Sequence, residues 1–297
     1  MPEPLVSVII NCYNGEKYLA QAVDSVLAQT YRNWEIIFWD NQSTDRSAQI
    51  ARSYSDPRLK YFYAPSHTGL YEARNHAIAK AQGEFLAFLD VDDWWLPDKL
   101  TRQIPLFADP QVGLVCANYW VESERKRKRW LALRRPIPRG WALGELLRSY
   151  FIGLVTLVVR RSALDSLDYP FDARFAIGGD RDLAIRLSVT WKLGSASEPL
   201  AVYRLHGDNQ IIRNRSQIHE ELSCWIGQME EVESVRSLPE FRFVKHQLTY
   251  LKAMHWLLEG DRRSACHLLP DLPWSQMKLR LCVAVLLPRS LVRRLKN

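Results

Sequence analysis

The sequence predicts an α/β protein: a mostly parallel central sheet flanked by helices, followed by a helical C-terminal extension. Three observations carry this. Short β-branched and aromatic runs alternate with segments of helical period through the first half of the chain. Three of those runs end in polar clusters, Asn11–Asn14, Asp40–Ser43 and Asp90–Asp93. Beyond Ser216 the apolar spacing is helical throughout. The expected division is a sheet-containing domain over residues 1–210 and a helical region over 211–297.

Val6–Ile10 is a buried strand ending at Asn11-Cys12-Tyr13-Asn14-Gly15, whose Asn and Gly suit unusual backbone angles. Tyr18–Gln29 places Leu19, Val23, Val26 and Leu27 at helical spacing. Trp34–Trp39 is a second strand that ends in Asp40, and a helix over Asp45–Tyr54 follows its turn. Leu59–Tyr63 is a short third strand, and Leu70–Ala81 a helix stopped by Gly83. The apolar run from Glu84 to Leu89 reads as a strand buried on both faces. It ends in Asp90, Asp92 and Asp93, with only Val91 between them. A core cannot hold three close carboxylates, so the strand must emerge at a sheet edge. A solvated acidic turn is one reading; a hard divalent cation with oxygen ligands, able to hold a diphosphate in turn, is the other. Pro97 opens a helix to Phe107, and Val112–Ala117 and Thr156–Val159 are further strands. Asp180–Lys192 is a helix, and Leu200–His206 a late strand.

The chain carries a formal charge of +7 with a pI near 9.2. Much of the excess lies in Arg125-Lys126-Arg127-Lys128-Arg129, then Arg134 and Arg135. This run reads as a flexible exposed loop, either merely solvated or facing an anionic substrate or lipid headgroups. No stacking or groove-binding motif accompanies it, so nucleic acid is not the expected partner. The five cysteines have no zinc or redox spacing and read as reduced thiols of a cytosolic protein. No signal peptide is evident. Phe151–Val159 and Leu281–Leu287 are too short for the roughly 20 residues a spanning helix needs. A dinucleotide-dependent oxidoreductase would want a Gly-rich first turn, which Asn11–Gly15 is not.

Strand ends on one edge of a parallel sheet converge, so the three clusters mark a binding crevice. Their residues, with Glu72-Ala73-Arg74-Asn75, Gly179-Asp180-Arg181-Asp182-Leu183 and Tyr203-Arg204-Leu205-His206, occur in the order and near the spacing of one family. The first two hundred residues resemble a family 2 glycosyltransferase with the A-type nucleotide-sugar transferase fold. The resemblance implies an inverting transferase that moves a sugar from a nucleotide-sugar donor, a UDP-sugar, to an acceptor hydroxyl. It implies that Asn11, Tyr13 and Asn14 line the nucleotide pocket and that Asp40 accepts from an N–H of uracil. Arg74 would approach the nucleotide or diphosphate, Asp92 the ribose or metal, and Asp93 the metal, Mg²⁺ or Mn²⁺. His206 would contact metal or diphosphate, and Asp180 would be the catalytic base. The acceptor would be a saccharide or lipid-linked saccharide of bacterial-type cell-surface polysaccharide or glycolipid synthesis. The enzyme would then be cytoplasmic, at the inner face of the cell membrane, with the basic, apolar C-terminus as a peripheral contact.

Each assignment has a structural counterpart. Asp40 would cap its own turn, Arg74 would pair with Glu72 or an upstream acid, and Asp180 would cap a helix. His206 would be a satisfied strand-end histidine, and the C-terminus an ordinary packed helix. The family often has an acid where this chain has Gly179, leaving Asp182 as the alternative second carboxylate. A non-catalytic nucleotide-sugar-binding protein on the same fold is the other reading.

Overall fold

The computed structural model describes residues 3–207, 209, 218–288 and 291–292. The chain forms two compact units, Met1–Leu146 with Tyr150–Arg213, and Leu147–Ser149 with Asn214–Asn297.

The first unit is built on a nine-stranded sheet. Its strands are β1 (Val6–Cys12), β2 (Trp34–Asp40), β3 (Leu59–Tyr63), β4 (Phe85–Phe88), β5 (Trp94–Trp95), β6 (Val112–Ser123), β7 (Lys128–Leu131), β8 (Val158–Arg160) and β9 (Lys192–Leu205). The helices are α1 (Leu19–Leu27), α2 (Ser47–Ser53), α3 (Leu70–Ile78), α4 (Lys99–Gln103), α5 (Leu143–Arg148), α6 (Arg161–Leu164) and α7 (Gly179–Ser188). The strand order is β3-β2-β1-β4-β8-β6-β9-β5, with β7 added to β6. β1, β2, β3 and β4 are parallel neighbours, as the alternation of strands and helices predicts. β8 is antiparallel to both β4 and β6, β9 is parallel to β6, and β5 is antiparallel to β9. The second half of the sheet is therefore mixed.

The parallel half is apolar on both faces because both are covered. Val6, Val8 and Ile10 pack with Leu19, Val23 and Val26 of α1. Ile9, Ile37, Leu86 and Phe88 are buried on the opposite face, where α3 lies on β1 and β2.

Several elements differ from the sequence expectation. The helix after Pro97 is only α4, followed by a 3₁₀ turn over Ile104–Phe107, because Pro105 has no N–H to continue an α-helix. Trp94 and Trp95 pair with Val202 and Ala201. β6 runs past Ala117 to Ser123, and β9 starts at Lys192 rather than Leu200. Their ladder shifts register where Asn118 meets Pro199, at a residue with no donor to offer.

The largest correction concerns the basic run. It is not a free loop but a β-hairpin: Lys128–Leu131 pairs antiparallel with Trp120–Ser123, and Arg127 turns the corner at φ 47°. Lys and Arg are poor strand formers in isolation, which hid β7 from the sequence. They are common on edge strands, where charge discourages pairing with another chain.

The second unit is helical, with helices Ile218–Glu230, Glu233–Arg236, Pro239–Glu259, Arg262–His267 and Gln276–Leu286. Gly260, at φ 95°, ends the longest of them in the left-handed region that glycine favours. Ala253, Met254, Leu257, Leu272, Leu281 and Ala284 form its small core. Arg289, Arg293, Arg294 and Lys296 of the expected interfacial segment lie outside the described residues. All five cysteines are unpaired. Among the described residues no helix is long and apolar enough to cross a membrane.

Candidate active site

The ends of β1, β2 and β4 meet. Leu89 N–H donates to Ile9 O at 3.0 Å, and Asn41 N–H to Cys12 O at 2.8 Å. Gly15 abuts the acidic turn so closely that a Cβ there would lie 2.8 Å from Val91 Cγ2. Asn14, at φ 55°, ties the first two turns together: its Oδ1 accepts from Thr44 N–H at 2.8 Å, and its N–H donates to Ser43 Oγ at 3.1 Å. Asp40 is fully buried. Its Oδ1 accepts from Ser43 N–H at 2.7 Å and its Oδ2 from the Tyr61 hydroxyl at 2.6 Å. The turn-capping role is thus present, and each oxygen keeps a second lone pair. Tyr13 is exposed and its ring lies 4.3 Å from that of His67. Asn11 is only 8% exposed, and neither polar atom of its amide has a partner among the described residues.

Beyond β4, carboxylate oxygens of Asp90, Asp92 and Asp93 all lie within 4.8 Å of one another. Each is held by a different partner. Asp90 is paired with the buried Arg74 guanidinium. Asp92 Oδ2 lies 2.8 Å from His206 Nε2 and 3.3 Å from Asn209 Nδ2. Asp93 Oδ1 accepts from the Arg204 N–H at 2.8 Å. Burial, reinforced by the charges of Asp92 and Asp90, pushes the Asp93 carboxyl well above the usual carboxylate range. Arg204 braces the arrangement further. Its guanidinium sits between the rings of Tyr18 (4.4 Å) and Trp94 (4.6 Å) and donates to Asp92 O at 2.8 Å. Close oxygen donors that lack enough positive charge of their own suit a hard divalent cation.

Two of the residues assigned from the sequence have partners within the protein. His206 braces Asp92, so its Nε2 faces a carboxylate. Arg74 is held by Asp90, while Glu72, the proposed alternative partner, lies 3.9 Å from His76. The sequence reading counted Asp90 among the three close carboxylates but gave it no role of its own, and it gave Arg204 none, although both lie inside the motifs quoted above.

Asp180 lies in the first turn of α7, where Gly178 and not Asp180 holds the N-cap position. Burial pushes its carboxyl up to about 6, with the Arg181 N–H and the Arg74 charge opposing. Gly179 has a steric reason to be glycine: a Cβ would lie 2.7 Å from Tyr71 ring carbons. The Tyr71 hydroxyl in turn donates to Ile177 O at 2.7 Å, so α3 supports the segment leading into Asp180. Asp182, the alternative second carboxylate, is fully buried and paired with Arg186 at 2.7 Å, within the packing of α7.

The fold is that of the A-type nucleotide-sugar transferases. Staphylococcus aureus TarS residues 1–349 superimpose with a TM-score of 0.68 at 16% identity, covering 94% of this chain and 86% of that one. The same fragment is also solved with UDP-GlcNAc. The mannosyltransferase PcManGT from Pyrobaculum calidifontis, solved with GDP-Man and Mn²⁺, gives 0.61 at 18% identity, covering 99% of this chain and 79% of that one. At these identities the likeness is one of fold. Residues 7–167 match the family model of Glycosyl transferase family 2, and the chain belongs to that family. It is 33% identical over 171 residues to the Escherichia coli UDP-Glc:alpha-D-GlcNAc-diphosphoundecaprenol beta-1,3-glucosyltransferase WfgD, covering 58% of this chain and 66% of that enzyme.

Proposed function

We propose that this glycosyltransferase is metal-dependent and inverting, taking a UDP-sugar as donor and a lipid-linked saccharide as acceptor in cell-surface polysaccharide or glycolipid synthesis. The observation that carries the reading is the cluster of Asp90, Asp92 and Asp93 at the end of β4, with Asp180 near enough for Asp90 and Arg74 to influence its proton. The first unit, the 1–210 region of the sequence reading, is the catalytic part. PcManGT supports a Mn²⁺-type ion, TarS and WfgD support a uridine donor, and WfgD supports a diphospholipid-linked acceptor.

Asp90, Asp92 and Asp93 would hold Mg²⁺ or Mn²⁺, which when bound supplies positive charge to the leaving diphosphate. The chain's own residues do the rest. Asn11 and Tyr13 line the nucleotide side, where a ligand gives the orphan amide of Asn11 a partner. Asp40 accepts the uracil N–H on a free lone pair while its other bonds fix its direction. Arg74 holds Asp90 in place, and His206 and Asn209 do the same for Asp92. Asp180 takes the proton from the acceptor hydroxyl as that oxygen attacks the anomeric carbon. Direct displacement by the acceptor oxygen, with the nucleoside diphosphate leaving, inverts the anomeric carbon; a double displacement of the retaining type needs a second carboxylate as nucleophile.

The test is release of nucleoside diphosphate from a panel of nucleotide sugars, with Mn²⁺ and with chelator. UDP-sugars turned over only with metal are expected; full turnover in chelator, or none of any sugar, overturns the reading.

A further inference from the structure

Nine large hydrophobic side chains are exposed among the described residues, and five of them, Trp274, Leu279, Val283, Leu286 and Leu291, fall in one short stretch. The rest are scattered singly, which is ordinary for a protein surface. Leu279, Val283 and Leu286 recur at helical spacing on one stripe of the Gln276–Leu286 helix, with the 82% exposed Trp274 just before it. The same helix has a second apolar face, and that one is satisfied: Leu281 and Ala284 are buried with Ala253, Met254 and Leu257. The exposed stripe is therefore not the core side of a terminal helix. A helix needs one apolar face to pack, and this one carries two.

Charge says what the second face meets. No Asp or Glu follows Asp271, whereas six Lys and Arg do. Arg280 stands exposed on the helix itself, and Lys278 lies over the Trp274 ring at 5.4 Å. An apolar stripe with an aromatic at its end, in a segment that carries only positive charge, matches an anionic bilayer surface, into which apolar groups sink while cations stay with the headgroups. Nucleic acid would use the cations and leave the leucines in water.

We infer that Trp274 and the Leu279–Val283–Leu286 stripe form a docking surface for an anionic phospholipid bilayer. The inference deepens the lipid-linked acceptor reading and rests on it only for its purpose: the surface would bring the enzyme to its acceptor.

The experiment is co-sedimentation of the intact protein with phosphatidylcholine vesicles, with and without phosphatidylglycerol. Pelleting with the anionic vesicles only, weakened by salt, is expected. Replacing the stripe by Trp274→Ser, Leu279→Gln and Leu286→Gln is expected to weaken vesicle binding by about tenfold or more. Unchanged melting and unchanged uridine diphosphate binding would show that the variant is folded. If the variant misfolds, hydrogen exchange on the wild type decides instead: added anionic vesicles should slow exchange over Trp274–Leu286. Intact protein left in the supernatant at low salt overturns the inference, as does undiminished binding by the folded variant or a dimer in solution that the variant abolishes. Transfer to a detergent-dispersed lipid-linked saccharide is measured in parallel. It survives if only the surface is wrong and fails if the acceptor reading is wrong.

Discussion

Gly179 packs against the ring of Tyr71: a Cβ would approach Tyr71 Cε1 to 2.7 Å, so a larger residue requires something to shift. Tyr71 sits one turn before Arg74 on α3, so a single helix steadies both the segment carrying Asp180 and the Asp90 end of the carboxylate cluster. Gly179→Ala is expected to cost about 1–3 kcal/mol of stability, the usual range for overpacking. It should also lower kcat more than it raises KM for the donor. Melting curves and steady-state kinetics check both; an unshifted melting temperature would mean that Tyr71 yields freely.

Asp93 is buried beside two like charges, which together with burial push its carboxyl well above the usual range. Asp93→Asn removes one charge from that repulsion and keeps the shape. The variant without metal is expected to melt at or above the wild-type temperature. Mn²⁺ should raise the melting temperature of the wild type and not of the variant, and metal-stimulated transfer should be lost.

Asp180→Asn is expected to bind uridine diphosphate normally and to lose transfer by about 10²–10⁴-fold, the usual contribution of a positioned base. The wild-type rate should also depend on pH in a definite sense. Burial raises the Asp180 carboxyl to about 6, so the base form is lost as pH falls through that value. Below it the rate should drop about tenfold per pH unit. Calorimetry and a pH profile separate binding from proton removal, and a flat profile across that range would remove Asp180 from the role.

Asp40→Ala is expected to weaken uridine diphosphate binding by about 1–3 kcal/mol, the cost of an unmade charged hydrogen bond. Some of that loss comes through the turn, because Ser43 loses its acceptor as well. Comparison of nucleotides separates the two effects. The wild type should prefer uridine over cytidine diphosphate, and the variant should lose the preference, whereas a loosened turn alone would weaken both equally.

Lys99 is fully buried, with Nζ 4.0 Å over the Trp95 ring and no hydrogen-bond partner among the described residues. Burial lowers its pKa well below the usual lysine range. The unfolded chain therefore binds a proton that the folded chain resists, and stability is lost as pH falls below about 10, the unfolded lysine range. Lys99→Met is expected to raise the melting temperature at neutral pH, with the gain shrinking as pH rises toward that range. Thermal melts across pH check this.

By itself the sequence determined the first half of the sheet, because a strand buried on both faces announces itself within a few residues: Val6–Ile10, Trp34–Trp39 and Phe85–Leu89 need no distant partner to be read. It also marked the three strand ends and the order of the motifs, and hence the family. Tertiary structure alone decided what those residues do to one another. Asp92 meets His206 across 114 positions and Asp93 meets the Arg204 N–H across 111, separations that no local period encodes. The same holds for β7, whose Lys and Arg form a strand only because β6 offers them a ladder. It holds for Gly179, which looked like a missing acid until Tyr71 occupied its space. Local patterns record which face of an element turns inward; which side chains then meet depends on chain closure over long loops, and that is written only in the folded molecule.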